Sequence, residues 1–144
     1  MYANVSTYLG MYNVPESNLR TKQYLPKENF EPDVITGSAN PKVWGPPFWF
    51  TLHNSAVHYP IQASPIVKER MKHRILAIPY EIPCSNCRPH AIDFIEKNRD
   101  MLNNIVSGRH TLFQFYVDFH NKVNERYGKP IWTYEQAYEM YSGK

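Results

Sequence analysis

WGPPFWFTLHNSAVHYP, residues 44–60, decides the class of fold. Trp49, Leu52, His53, Ala56 and Val57 recur at the i, i+3, i+4, i+7, i+8 spacing, which puts them on one face of an α-helix. Pro46 and Pro47 suit a first turn, where a missing amide costs nothing, so the helix is expected to start there and to end at Tyr59-Pro60.

The same period continues downstream. Ser64-Pro65 reads as cap and first residue of a second helix, with Val67, Met71, Ile75 and Ile78 inward, Lys68, Arg70, Lys72 and Arg74 largely outward, and an end near Pro79. A third helix is expected to start at the two cysteines, Cys84 following Pro83, and to carry Ala91, Phe94 and Ile95 on its buried face. A fourth opens at the capping-box pattern Thr111–Gln114, runs through Leu112, Tyr116, Phe119, His120, Val123 and Tyr127, and stops at Gly128. A short fifth begins at a second such pattern, Thr133–Gln136. No strand alternation and no internal repeat competes with this reading. The expected class is all-α, a four-helix bundle with a short fifth helix.

Upstream the period is lost. Pro15, Pro26, Pro32 and Pro41 interrupt residues 1–42, which read as an irregular N-terminal arm preceding a domain over 43–144. The arm holds Tyr2, Tyr8, Tyr12, Tyr24 and Phe30, more aromatic surface than a freely solvated tail keeps, so parts of it are expected to lie against the domain or a partner.

Composition bounds the function. At 144 residues and 42% hydrophobic the chain can bury a core without crosslinks. Sixteen basic and thirteen acidic residues give +3 with the signs interspersed, so no nucleic-acid partner is implied. No apolar run approaches the ~20 residues of a membrane span. The start lacks the charged end and apolar centre of a signal peptide.

The only two cysteines, Cys84 and Cys87, stand in IPCSNCRPH, residues 82–90. A crosslink closing so short a loop does little for stability, since the entropy it removes grows with loop length. The pair therefore serves chemistry or metal. Haem attachment is excluded, because Arg88 occupies the place of the required histidine. A thioredoxin-like motif would need a preceding strand and a parallel sheet. A zinc site could use Cys84, Cys87 and His90, with His73, His110 or His120 as fourth donor, although no second CxxC or HxxxH accompanies them. A dithiol beside an electron acceptor is the remaining reading. With no GxGxxG after a strand, such an acceptor would sit between helices of a bundle.

WGPPFWFTLHNSAVHYP (44–60), IPCSNC (82–87) and HNKVNERYGKP (120–130) together resemble the signature segments of the Erv/ALR FAD-linked sulfhydryl oxidases, in order and spacing. The resemblance implies a helical bundle holding FAD at one end, oxidation of dithiols to disulfides with oxygen as final acceptor, release of peroxide, and a homodimer. It makes Cys84 the outer thiol that exchanges with substrate and Cys87 the inner one against the flavin. Its implied cofactor-binding residues are Lys42, Trp44, Gly45, Trp49, His53, His120, Asn121, Val123, Asn124, Lys129 and Tyr141, the last where the family often has Trp. The expected partners are a protein dithiol or a redox carrier protein. The chain has neither the distal relay cysteines nor the structural disulfide of many members. It is in this most similar to the compact forms of large DNA viruses, which implies a place in the host cytoplasm or the virion.

Overall fold

A computed structural model of the chain describes residues 39–143; the arm read over 1–42 lies outside them except for its last four residues. Every regular element among the described residues is a helix: α1 Pro41–Val57, α2 Pro65–Glu81, α3 Arg88–Lys97, a 3₁₀ turn Arg99–Met101, α4 Leu102–Ile105, α5 Arg109–Arg126 and α6 Tyr134–Ser142. α1 packs against α5 and α6, α2 against α3, and α4 against α5.

α1 begins five residues earlier than its prolines suggest. The Asn40 side chain accepts the Lys42 amide at 3.0 Å and the Asn40 carbonyl accepts the Val43 amide at 2.9 Å, while Pro41 fills the first helical position. Pro46 and Pro47 therefore stand inside the helix, not in its first turn. They leave the carbonyls of Lys42 and Val43 without their usual donors, at exposed residues where water can serve instead.

α2 likewise runs through Pro79 to Glu81, with Ser64 as cap residue. Pro79 deprives only the Ile75 carbonyl of a partner, and its own ring is buried. The two cysteines precede α3 instead of lying in it: Ser85–Cys87 form a turn and Cys87 is the cap residue.

α5 starts two residues before the expected Thr111 box. Thr111 Oγ1 donates to the carbonyls of Ile105, at 2.9 Å, and Gly108, at 3.0 Å, and Gln114 turns away to Asp118. The start is fixed from outside the helix, where Gly108 sits so close to the Ile61 carbonyl that a side chain would overlap it. Arg109 Nε donates to the Tyr59 carbonyl at 2.8 Å, and the Ala63 amide to the Ser107 carbonyl at 2.9 Å. At Thr133–Gln136 both bonds of the capping box are present.

The core is continuous. Leu52 and Ala56 of α1, Ile75 and Ile78 of α2, Ile95 of α3, and Leu112, Phe113, Tyr116 and Val117 of α5 are almost wholly buried. Each large apolar side chain contributes ~1.5–3 kcal/mol relative to exposure. Tyr59 buries its ring while its hydroxyl donates to the Val106 carbonyl at 3.0 Å, so the α1–α2 connection is pinned to the short α4 segment.

Candidate functional site

The turn before α3 is built on one carbonyl. Cys84 O accepts the amides of Cys87, at 3.0 Å, and Arg88, at 3.1 Å, which brings the cysteines to a Cα–Cα distance of 5.2 Å, joined as a disulfide. Arg88 Nη2 donates to the Ile82 carbonyl at 3.2 Å, tying the turn to the end of α2. Both cysteines are half-buried. Cys87 stands at the amino end of α3, where unpaired amides and the helix dipole favour its thiolate once the bond is opened.

Cys87 forms part of the wall of a cavity of about 1440 Å³, larger than the ~300–1,000 Å³ of ordinary small-molecule sites. α1 contributes Lys42, Trp44, Gly45, Phe48 and Trp49; α3 contributes His90, Ala91, Phe94 and Lys97; α5 and its exit contribute Phe119, His120, Val123, Asn124, Arg126 and Lys129; α6 contributes Met140 and Tyr141. Aromatic rings hold one another along this wall. Trp49 stacks on His120 at 4.0 Å and meets the Phe119 edge at 5.1 Å, and Phe119 stacks on Phe94 at 5.0 Å.

The cavity is cationic. Lys97 is engaged by Asp93 at 2.8 Å and Lys122 by Glu125 at 2.6 Å, whereas Lys42 and Lys129 make no ion pair among the described residues. Asn124 is 5% exposed, yet its carboxamide bonds to nothing among the described residues; its carbonyl instead accepts the Lys129 amide at 2.9 Å. The carboxamide is left open to the cavity and not sealed in the core, so it offers a donor and an acceptor to a ligand there. Gly45 adds a second such sign: it is buried on the wall, and a Cβ there would meet no atom within 4 Å, so it would project into the cavity. The arrangement suits a large, flat, anionic ligand in contact with one sulfur of the disulfide.

Of the residues singled out from the sequence, Lys42, Trp44, Gly45, Trp49, Cys87, His120, Val123, Asn124, Lys129 and Tyr141 come together on this wall. Cys84 lies off it, bonded to Cys87. His53 and Asn121 are not on it. His53 is 1% exposed behind the wall, its Nε2 at 3.1 Å from His120 Nδ1 and its ring stacked on Tyr141 at 4.2 Å. Asn121 clamps the loop before α6, accepting the Trp132 amide at 3.0 Å and donating to the Trp132 carbonyl at 2.8 Å. Both histidines are held neutral. Burial and the neighbouring His120 lower His53 to about 3, and burial and the Lys129 charge lower His120 to about 4.

Sequence reasoning passed over Phe48, Lys97, Arg126 and Met140 as cavity residues, and placed Phe94 and Phe119 only in the core. The period held a signal for α5: His120, Val123, Asn124 and Tyr127 sit at i, i+3, i+4, i+7, one cavity-facing stripe. The zinc donors do not converge. No three His, Cys, Asp or Glu side chains are grouped to hold a metal ion among the described residues, and His110 Nδ1 lies 2.7 Å from the Tyr134 hydroxyl.

Known proteins share this architecture. The model of the Erv1 / Alr family matches residues 46–142. Protein 347L of Invertebrate iridescent virus 6, a proposed FAD-linked sulfhydryl oxidase, is 41% identical over 95 residues, covering 64% of this chain and 86% of its own. The FAD-linked sulfhydryl oxidase of African swine fever virus (isolate Tick/Malawi/Lil 20-1/1983) is 38% identical over 103 residues, covering 67% and 81%. The crystal structure of the FAD binding domain of Erv1 from Saccharomyces cerevisiae superposes with a TM-score of 0.63 at 27% identity, over 69% of this chain and 92% of that one. A family match over most of the helical region, with the disulfide of residues 84 and 87 set against a large aromatic cavity, shows that the chain belongs to the Erv1/Alr family.

Proposed function

We propose that the protein is an FAD-dependent sulfhydryl oxidase that makes disulfides in protein dithiols, with oxygen as the final electron acceptor. One observation carries this reading: a disulfide with one sulfur on the wall of a cavity of dinucleotide size. The wall fits FAD. Its aromatic rings offer faces for the two flat ring systems, Lys42 and Lys129 would meet the diphosphate, and the unbonded Asn124 carboxamide and the Gly45 gap fall where a bound nucleotide would complete the packing. FAD, when bound, supplies a two-electron sink that oxygen regenerates with release of peroxide.

The protein's own part is thiol exchange. A substrate thiolate attacks the Cys84 sulfur, which lies off the cavity wall, and Cys87 leaves as the thiolate. A second substrate thiolate attacks the substrate sulfur of the mixed disulfide, releasing the oxidised product and Cys84. Cys87 is then a thiolate on the cavity side at a helix amino end, where the dipole holds its charge. Its electrons leave toward the cavity while Cys84 closes the disulfide again.

The same reading carries a homodimer, supported by the family, and a place in the infected host cytoplasm or the virion, supported by the viral relatives. No helix among the described residues is long and apolar enough to cross a membrane. Residues 1–144 hold no further cysteine to relay through, which supports a protein dithiol or a carrier protein that reaches Cys84 as the physiological reductant.

The test is a spectrum and an oxygen electrode. The purified protein is expected to be yellow with flavin bands and to consume oxygen with a dithiol. Cys87→Ser is expected to stay yellow and lose turnover by at least ~100-fold, the scale of losing the reacting group. A colourless wild-type protein, or wild-type oxygen uptake in Cys87→Ser, refutes the proposal.

A further inference from the structure

The contact between His53 and His120 holds more information than its length. With both rings neutral, one nitrogen of the pair donates across the 3.1 Å gap and the other accepts. The two choices differ in what they leave behind. If His120 Nδ1–H donates to His53 Nε2, the proton of His53 must sit on its Nδ1. That nitrogen is buried without a partner among the described residues, enclosed by the Tyr141 ring stacked at 4.2 Å and the Phe113 ring at 5.3 Å. An orphaned buried N–H is among the least tolerated groups in a protein interior. Both rings would also carry the less favoured tautomer of neutral imidazole.

If His53 Nε2–H donates to His120 Nδ1, both rings carry the ordinary Nε2–H tautomer, and the buried His53 Nδ1 keeps only a lone pair. His120 then has its remaining proton on Nε2, which makes no hydrogen bond among the described residues, on a residue of the cavity wall. Stacking on Trp49 at 4.0 Å with an interplanar angle of 4° prevents the His120 ring from flipping to exchange its nitrogens without breaking that face contact.

We propose that His53 is a positioning residue: it locks His120 as the Nε2–H tautomer, so that His120 presents a hydrogen-bond donor to the cavity and meets an acceptor atom of the bound cofactor. The choice of tautomer stands on the protein alone; its use toward FAD rests on the function proposed above. His53 lies behind the cavity wall and acts through the orientation and proton position of its neighbour.

The tautomer is measured directly on the full chain, labelled with ¹⁵N in its histidine rings, by long-range ¹H–¹⁵N correlation at pH 7.5. We expect His53 and His120 both to show an unprotonated Nδ1 and a protonated Nε2. A protonated Nδ1 on either ring overturns the proposal, whether or not the protein binds FAD. In His53→Leu the His120 signals are expected to move toward the shifts of a mixed tautomer, with flavin released on serial dilution at an about 10-fold higher protein concentration. His53→Gln retains a donor and is expected to keep both properties within about 3-fold of wild type. If His53→Leu keeps His120 wholly as Nε2–H, His53 does not position it. Should that variant fail to fold, the wild-type spectrum alone still decides the tautomer. Failure of the wild-type protein to bind FAD refutes the proposed function and leaves the tautomer assignment to stand or fall on its own signals.

Discussion

Gly45 shows how a single residue can separate cofactor binding from folding. It lies in α1, buried on the cavity wall, with open space where a side chain would go. Gly45→Val is therefore expected to leave the thermal midpoint of the flavin-free protein within a few degrees of wild type, since no protein atom is displaced, and to reduce flavin content at least ~5-fold, because the isopropyl group enters ligand space. Flavin-to-protein absorbance ratio and a melting curve check the two halves. The prediction applies to a cavity that a ligand fills. A Gly45→Val protein that retains full flavin would place the ligand elsewhere.

At the scale of elements, the two capping-box patterns make a controlled comparison. Thr133–Gln136 forms both bonds of the box, and Thr111–Gln114, of the same residue types at the same spacing, forms neither. What differs is the chain upstream. Gly108 abuts the Ile61 carbonyl and Arg109 reaches the Tyr59 carbonyl, so the cap position of α5 is drawn back from Thr111 to Gly108 through contacts with the α1–α2 connection. Gly108→Ala should destabilise the protein by about 1–3 kcal/mol, because the added methyl group meets backbone that cannot rotate away. A lower urea midpoint at unchanged slope is the expected result; no change would mean that the connection yields. The cost is steric, as Gly108 has extended backbone with φ −170° that any residue adopts.

The whole molecule couples its cavity to its stability in two ways. His53 and His120 are uncharged in the folded protein down to about pH 3 and 4, while in the unfolded chain they take protons from about pH 6.5. Below pH 6.5 the unfolded state thus binds more protons, and stability falls as pH falls, by up to about 1.4 kcal/mol per pH unit for His53 alone. The urea midpoint is expected to drop between pH 7 and pH 5, a window above the range where carboxylates titrate, and His53→Gln is expected to flatten the drop. Removing FAD is the second route. A ligand that binds only the folded state at 100 times its dissociation constant adds about 2.7 kcal/mol, so stripping flavin should lower the melting temperature, with recovery on adding FAD back. A melting temperature indifferent to flavin would count against the cavity as its site.

Local sequence determined the helices and their inward faces, because the 3.6-residue period of Leu52, Ile75, Phe113 and their neighbours needs no knowledge of what they pack against. It also carried the disulfide, since residues 84 and 87 are the two cysteines of the sequence. Ser64 and Thr133 marked the starts of α2 and α6 as well, whereas tertiary structure decided where α5 starts and which polar groups face the cavity. Pro46 and Pro47 lie inside α1 because a cap five residues earlier and exposed carbonyls make their missing amides tolerable. His53 is one turn from Trp49 along the same helix, yet it lies behind the wall, because Tyr141 and His120, remote in the chain, close over it. Periodicity reports which face of a helix leaves water. Whether that face meets packed side chains or a cavity depends on the neighbouring helices, which are set by contacts far apart in sequence.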